Sequence, residues 1–203
     1  MRKLVVLLSL ASLLVAGNAM AQIDPDPDMI GVYFDLGATT WCTSPGPVGP
    51  YPAYLILTNA TALSGVSGWE CSVAVTEGVF VLSWLYNGTA VNALSPPNFA
   101  VGLASPLPWE PAILLMTFNV GLFAATPVEI TVTAQPIPSI PDTPFPLPAY
   151  AAGDDPGDLR SLGYSTGWDP ETGTPNVAAV INGDCTPTAN EDATWGNVKN
   201  MYK

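Results

Sequence analysis

The sequence predicts an all-β fold, an antiparallel sandwich of the jelly-roll type. Three observations lead there. Short segments between residues 30 and 133 alternate apolar and polar residues with period two, the signature of strands with one face buried. Gly, Pro and Asn-Gly punctuate them at short intervals. No stretch in that range carries a sustained 3.6-residue periodicity, so the helical crossovers that parallel sheets require are missing.

The elements follow in order. Val32, Phe34 and Leu36 alternate with Tyr33 and Asp35, which predicts a strand from Ile30 to Leu36. Gly46, Pro47, Gly49, Pro50 and Pro52 predict a loop, and Tyr54 to Thr58 a second strand. Trp69, Cys71, Val73 and Val75 point one way and Glu70, Ser72, Ala74 and Thr76 the other, up to the break at Glu77-Gly78. Val79 to Tyr86 is apolar on both faces: Phe80, Leu82, Trp84 and Tyr86 on one, Val79, Val81 and Leu85 on the other. This predicts a central strand, or one covered by the proline-rich segment, by the tail helix or by a partner molecule. Asn87-Gly88 is a tight-turn signal. Phe99 to Leu103, Ile113 to Leu122 and Val128 to Thr133 complete the sandwich, and Val177 to Ile181 adds a late strand.

The flanks differ in chemistry. Arg2 and Lys3, an apolar run from Leu4 to Ala16 and the small residues Ala19 and Ala21 read as a cleavable secretory signal over residues 1–21. The run is shorter than the roughly 20 residues of a membrane span, and no later segment is long enough. The expected organisation is a signal at 1–21, a β-sandwich at 22–135, an extended proline-rich strap at 136–148, and a loop-rich segment at 149–203. Six prolines between 136 and 148 carry the strap assignment. Trp195, Val198 and Tyr202 at i, i+3, i+7 predict a terminal helix over 194–202 that packs on the sandwich.

Charge and composition exclude several functions. The chain has 17 acidic and 5 basic residues, a net charge of −12, and no histidine. After residue 21 only Arg160, Lys199 and Lys203 are basic, so nucleic acid and anionic lipid find no footprint. Ser-His-Asp and Cys-His catalysis and His-ligated zinc are excluded. Carboxylates alone remain as general acids or bases, and Glu70 and Glu110 have no spacing that makes them a glycosidase pair.

Three groups are candidate sites. Asp154, Asp155 and Asp158 surround Gly157 and are candidate calcium ligands, with Asp24, Asp26 and Asp28 a second set; the alternative is a solvated acidic turn. Trp84, Tyr86 and Trp109 are the candidate aromatic platform for a ligand such as a sugar ring; the alternative is core packing. Cys42, Cys71 and Cys185 give an odd count in an exported chain. Closing Cys42–Cys185 is worth about 5 kcal/mol on the chain-entropy model and Cys42–Cys71 about 3.5 kcal/mol. Geometry, which loop length does not reveal, makes the choice. The expected pair is Cys42–Cys185, because Cys71 shares the inward parity of Trp69 and Val73 and so reads as a buried free thiol.

The run from Pro52 to Ala134 resembles a cohesin-type domain. The residues that carry the likeness are Ala53 to Asn59, Val66 to Val73, Glu77 to Phe80, Ile113 to Val120 and Val128 to Val132. The resemblance implies an extracellular nine-stranded jelly roll that binds protein partners or carbohydrate. The whole chain, with its Trp195-Gly196-Asn197-Val198-Lys199 ending, also resembles uncharacterised secreted bacterial proteins. The expectation is an exported, non-catalytic β-sandwich acting as a cell-surface, matrix or assembly module, with a protein partner, self-assembly or a glycan as its target. The alternatives are a carboxylate-based polysaccharide hydrolase and a carbohydrate-binding module. Mass spectrometry of the exported protein is expected to find its N-terminus at Gln22; a mature species that keeps residues 1–21 refutes the signal assignment.

Overall fold

The computed structural model describes residues 25–46, 48–141, 145–165, 168–169, 174–175, 177–183 and 185. The signal at 1–21 and the helix at 194–202 lie outside the described residues. Within them the chain is all β, with fifteen strands and no helix.

Two sheets form the body. The first has the order β12-β1-β3-β8-β5, built from β1 (Met29–Tyr33), β3 (Gly49–Thr58), β5 (Phe80–Tyr86), β8 (Ala112–Leu122) and β12 (Gly163–Tyr164). The second runs β11-β10-β4-β9-β15-β2, with β7 on the other side of β4 and β6 beyond it. Its strands are β2 (Cys42–Thr43), β4 (Val66–Val75), β6 (Ala90–Asn92), β7 (Asn98–Leu107), β9 (Val128–Thr133), β10 (Ala149–Ala152), β11 (Leu159–Ser161) and β15 (Val177–Ile181). A separate two-stranded pair joins β13 (Trp168–Asp169) to β14 (Thr174–Pro175). The pairing is antiparallel except for two short contacts, β1 with β12 and β15 with β2.

The strands form broadly where alternation predicts, though β1 ends at Tyr33 rather than Leu36 and other elements differ in bounds or place. β3 runs back to Gly49, through the stretch the prolines mark as a loop. β1 flanks β3 only along Tyr54–Thr58, so Pro50 and Pro52 lie where β8 is the sole neighbour. They occupy alternate positions, and an edge with no partner absorbs both missing N–H donors. β5 is not central: it is the outer strand of the first sheet, paired with β8 alone. β9 and β10 lie on the same side of β4, with Ser72 opposite Thr133 and Glu70 opposite Ala149. The proline-rich segment is therefore an excursion from a single strand line.

The inner faces of both sheets share one core. Trp84 of β5 packs on Phe118 of β8 at 5.1 Å and reaches across to Phe99 of β7 at 5.0 Å. Trp69 of β4 meets the same Phe99 at 5.8 Å. Gly65, at the entry to β4, has φ +88° and lies so close to the Leu107 carbonyl that a Cβ has no room. At the sandwich end, Asp28 accepts hydrogen bonds from the Thr61 amide (2.8 Å) and the Tyr150 hydroxyl (2.6 Å), tying the N-terminal lead-in to β10.

Cys42 and Cys185 form the disulfide, with Cα atoms 5.5 Å apart. It fastens the chain beyond β15 to the edge strand β2. Cys71 is a fully buried free thiol, and burial, then the charge of Glu70, pushes its pKa up. Non-reducing peptide mapping is expected to recover a Cys42–Cys185 peptide. In the same experiment Cys71 should stay unalkylated until the protein unfolds; a Cys42–Cys71 peptide contradicts both. Cys42→Ser with Cys185→Ser should cost about 5 kcal/mol of unfolding free energy, given the 143-residue separation.

Candidate functional site

β5 holds the key to the molecular surface. Alternation alone places Phe80, Leu82, Trp84 and Tyr86 on one face. The ladder to β8 slips between Val81 and Ser83: Val81 faces Val120 and Ser83 faces Asn119. The one extra residue, Leu82, reverses the phase of everything after it. Val81, Trp84 and Tyr86 now pack against the core, while Phe80, Leu82 and Leu85 point to solvent.

The aromatic platform expected at Trp84, Tyr86 and Trp109 is therefore not formed. Trp84 and Tyr86 belong to the interior cluster, Tyr86 lying 6.3 Å from Phe99 and from Trp69. Trp109 is on the loop before β8, exposed on its surface, with its indole N–H donated to the Ala60 carbonyl at 2.8 Å.

The outward side chains of β5 sit at the edge of a face that the described residues cover only in part. Towards β1, Ile56 is buried beneath Tyr33 and Ala38, with Trp41, Tyr54, Ala112 and Leu114 around it. The segment from 34 to 41 makes this cover, held by the Thr39 amide and hydroxyl bonded to Asp35 at 2.9 and 2.6 Å. Burial alone raises the Asp35 pKa, but these bonds outweigh it and the net direction is down. Towards β5 the cover stops. Asn119 donates to the Ser83 hydroxyl at 2.8 Å, and Leu82 leans over the bare backbone of Gly121. Phe80 meets Phe123 edge-on at 6.4 Å. Beside them a hollow of about 90 Å³ is lined by Val79, Leu122, Phe123 and Val128 among others. The strip has no charged side chain.

The acidic candidates do not converge. Asp154 accepts from the Ser64 hydroxyl, which holds its carboxyl below the usual range. Asp155 accepts from the Gly157 amide at 2.8 Å, closing its own turn, and Asp158 pairs with Arg160 at 2.7 Å. Among the described residues no group of three or more Cys, Asp or Glu gathers as a cation cage. A distant hydroxyl, a turn amide and an ion pair thus occupy the three carboxylates separately. Asp28, from the second set, is held by Thr61 and Tyr150.

Glu70 stands outward in β4, as alternation predicts, yet it is 7% exposed, because the proline-rich strap closes over it. Its Oε1 accepts the Ser139 amide at 2.7 Å; its Oε2 accepts the Ser139 hydroxyl at 2.7 Å and the Gln135 amide at 3.2 Å. Glu110 is exposed on the loop before β8. No signal in the strand's own alternation foretells a cover supplied by residues 135–139.

No protein-family model matches the sequence, and no curated protein matches it either. Solved structures that the chain resembles include cohesin modules. The sixth cohesin of scaffoldin B from Acetivibrio cellulolyticus, solved with a dockerin, is 8% identical with a TM-score of 0.48, over 78% of this chain and 100% of its own. A type II cohesin from the cellulosome of the same organism is 11% identical with a TM-score of 0.46, over 77% and 96%. The cohesin module of a Clostridium perfringens family 33 glycoside hydrolase is 12% identical with a TM-score of 0.43, over 66% and 90%.

The slip in β5 makes a direct prediction. Trp84→Ala should destabilise the protein by about 3 kcal/mol, the cost of an emptied core position, and Leu85→Ala by about 0.5 kcal/mol or less. Denaturant titration separates the two; equal costs contradict the assignment of inner and outer faces.

Proposed function

We propose that this protein is an exported, non-catalytic module that binds another protein through the β5 half of the first sheet's outer face. The observation that carries this reading is the exposed apolar strip: Phe80, Leu82, Leu85 and Phe123 are 64%, 56%, 58% and 69% exposed. Exposed single apolar residues are ordinary, but four on one continuous face, at an unpaired sheet edge, mark an interaction surface. Bare ladder groups on β5 add main-chain hydrogen bonding to the side-chain contact.

The surroundings support binding over turnover. Glu70 spends its carboxylate on the strap, and Asp154, Asp155 and Asp158 each have a separate partner. The strip itself supplies contact area and no acid–base group. The export signal and the disulfide fit an oxidising, extracytoplasmic setting.

A photo-crosslinking amino acid in place of Leu85 tests the surface in the cells that export the protein. Val91, 74% exposed on β6 of the other sheet, is the control position. The expected result is a discrete protein adduct from position 85, absent from position 91 and lost when Leu82→Asp is added. Identical adducts from both positions, or hydrolysis of a polysaccharide in a glycan panel by the purified protein, refute this function.

A further inference from the structure

The other sheet carries a cavity of its own. It is about 240 Å³ in volume and lies on the outer face of β10, β4 and β7. The ladders explain why it is there. Ala151 is opposite Gly68, and Gly68 is opposite Gly102; Ala149 is opposite Glu70, and Glu70 is opposite Ala100. Two adjacent rows across three strands thus present almost no side chain but one. Leu159 of β11 closes one end, and the strap rises at Ser139 on the other side.

That one side chain is a carboxylate. Glu70 lines the cavity, is more than nine-tenths buried, and has only neutral partners. A carboxylate offers about four acceptor positions. Three are filled, two on Oε2 and one on Oε1. Arg160, the basic residue among the described ones, pairs with Asp158 and not with Glu70. A buried carboxylate whose partners among the described residues are all neutral, beside an apolar hollow, is complementary to a cation carried on an apolar body.

We propose that this cavity binds an alkylammonium group, its nitrogen at Glu70 Oε1 and its hydrocarbon over Gly68, Gly102 and Ala100. The volume equals about eight water volumes, which suits a body of six or seven heavy atoms. Two sources share this chemistry, a free amine and a lysine side chain of a partner polypeptide. The site is on the opposite sheet from the β5 strip and does not depend on it.

The probes are n-hexylamine, its neutral counterpart n-hexanol, and Nα-acetyl-lysine N-methylamide, titrated into the intact protein while the amides of Gly68 and Gly102 are followed by NMR. Hexylamine should shift both amides saturably, with hexanol about tenfold weaker for want of the charge-assisted bond. Glu70→Gln should bring hexylamine down to the level of hexanol. Gly102→Leu, where an added Cβ meets nothing within 4 Å, should block the cavity and abolish both. If the lysine derivative binds as tightly as hexylamine, the source is a polypeptide lysine; if hexylamine alone binds, it is a free amine. Equal affinity for hexylamine and hexanol, or no shift with either, overturns the proposal. The amine–alcohol comparison uses the unaltered protein, so it decides even where Glu70→Gln loosens the strap.

Discussion

Phe99 is the point on which the two sheets agree. It rises from β7 in the second sheet and meets Trp69 beside it and Trp84 and Tyr86 opposite, while Trp84 also stacks on Phe118. Each large ring buries area on the order of 150–250 Å², and tilted pairs at these separations add about 0.5–1.5 kcal/mol apiece beyond that burial. The cluster demands that β5 turn Trp84 and Tyr86 inward. The strand meets that demand with a one-residue slip at Leu82. The same slip turns Leu85 outward, onto the face that Phe80 and Leu82 already occupy. Interior packing and the exposed strip are therefore two consequences of one irregularity in a ladder.

A second constraint acts along β4. Its C-terminal half pairs with β9 and its N-terminal half with β10, as if the two were one strand. Between Thr133 and Ala149 the chain leaves the sheet and returns. A proline-rich excursion forms no ladder of its own, since its prolines lack donors. Something else must hold it, and Glu70 does so through the amide and hydroxyl of Ser139 and the amide of Gln135. The residue opposite the break in the strand line is thus the residue that anchors the excursion. At the far end Tyr150 returns into β10 and hands its hydroxyl to Asp28; burial, then that bond, raises its pKa.

Legibility in the sequence followed the physics of period two. Where one face meets the core and the other meets water, alternation is clean. Val128–Thr133 has the bounds that alternation predicts. Where the reason for a strand is tertiary, it was silent. Ala149–Ala152 carries three alanines with no β-preference, and becomes a strand because β4 and β11 flank it. Gly49–Ala53 looks like loop because prolines forbid central strands, a rule that lapses where a neighbour is missing. The disulfide partners were legible, since Cys71 has inward parity. The strip on β5 was half legible: its apolar excess could be seen, but which residues face out depends on a slip that only the opposing strand reveals. Glu70 was not legible at all, because its cover comes from 65 residues away or more.

Charge decides what an apolar strip means on this molecule. At a net charge of −12, two copies repel at long range, and an uncovered edge strand is shielded from indiscriminate pairing with itself. Many sheet proteins guard an edge with lysine, proline or charge on the strand. β5 has none of these between Phe80 and Tyr86, and keeps its edge chemistry intact. The protection is delegated to the body of the molecule, whose acidic surface acts over roughly a Debye length, about 8 Å at physiological ionic strength. A partner without that acidity approaches unopposed and then finds contact area and free ladder groups together. Selectivity of this kind needs no charged residue in the contact itself. It needs a neutral strip on an acidic body, which is the arrangement that the slip at Leu82 and the composition of the chain jointly produce.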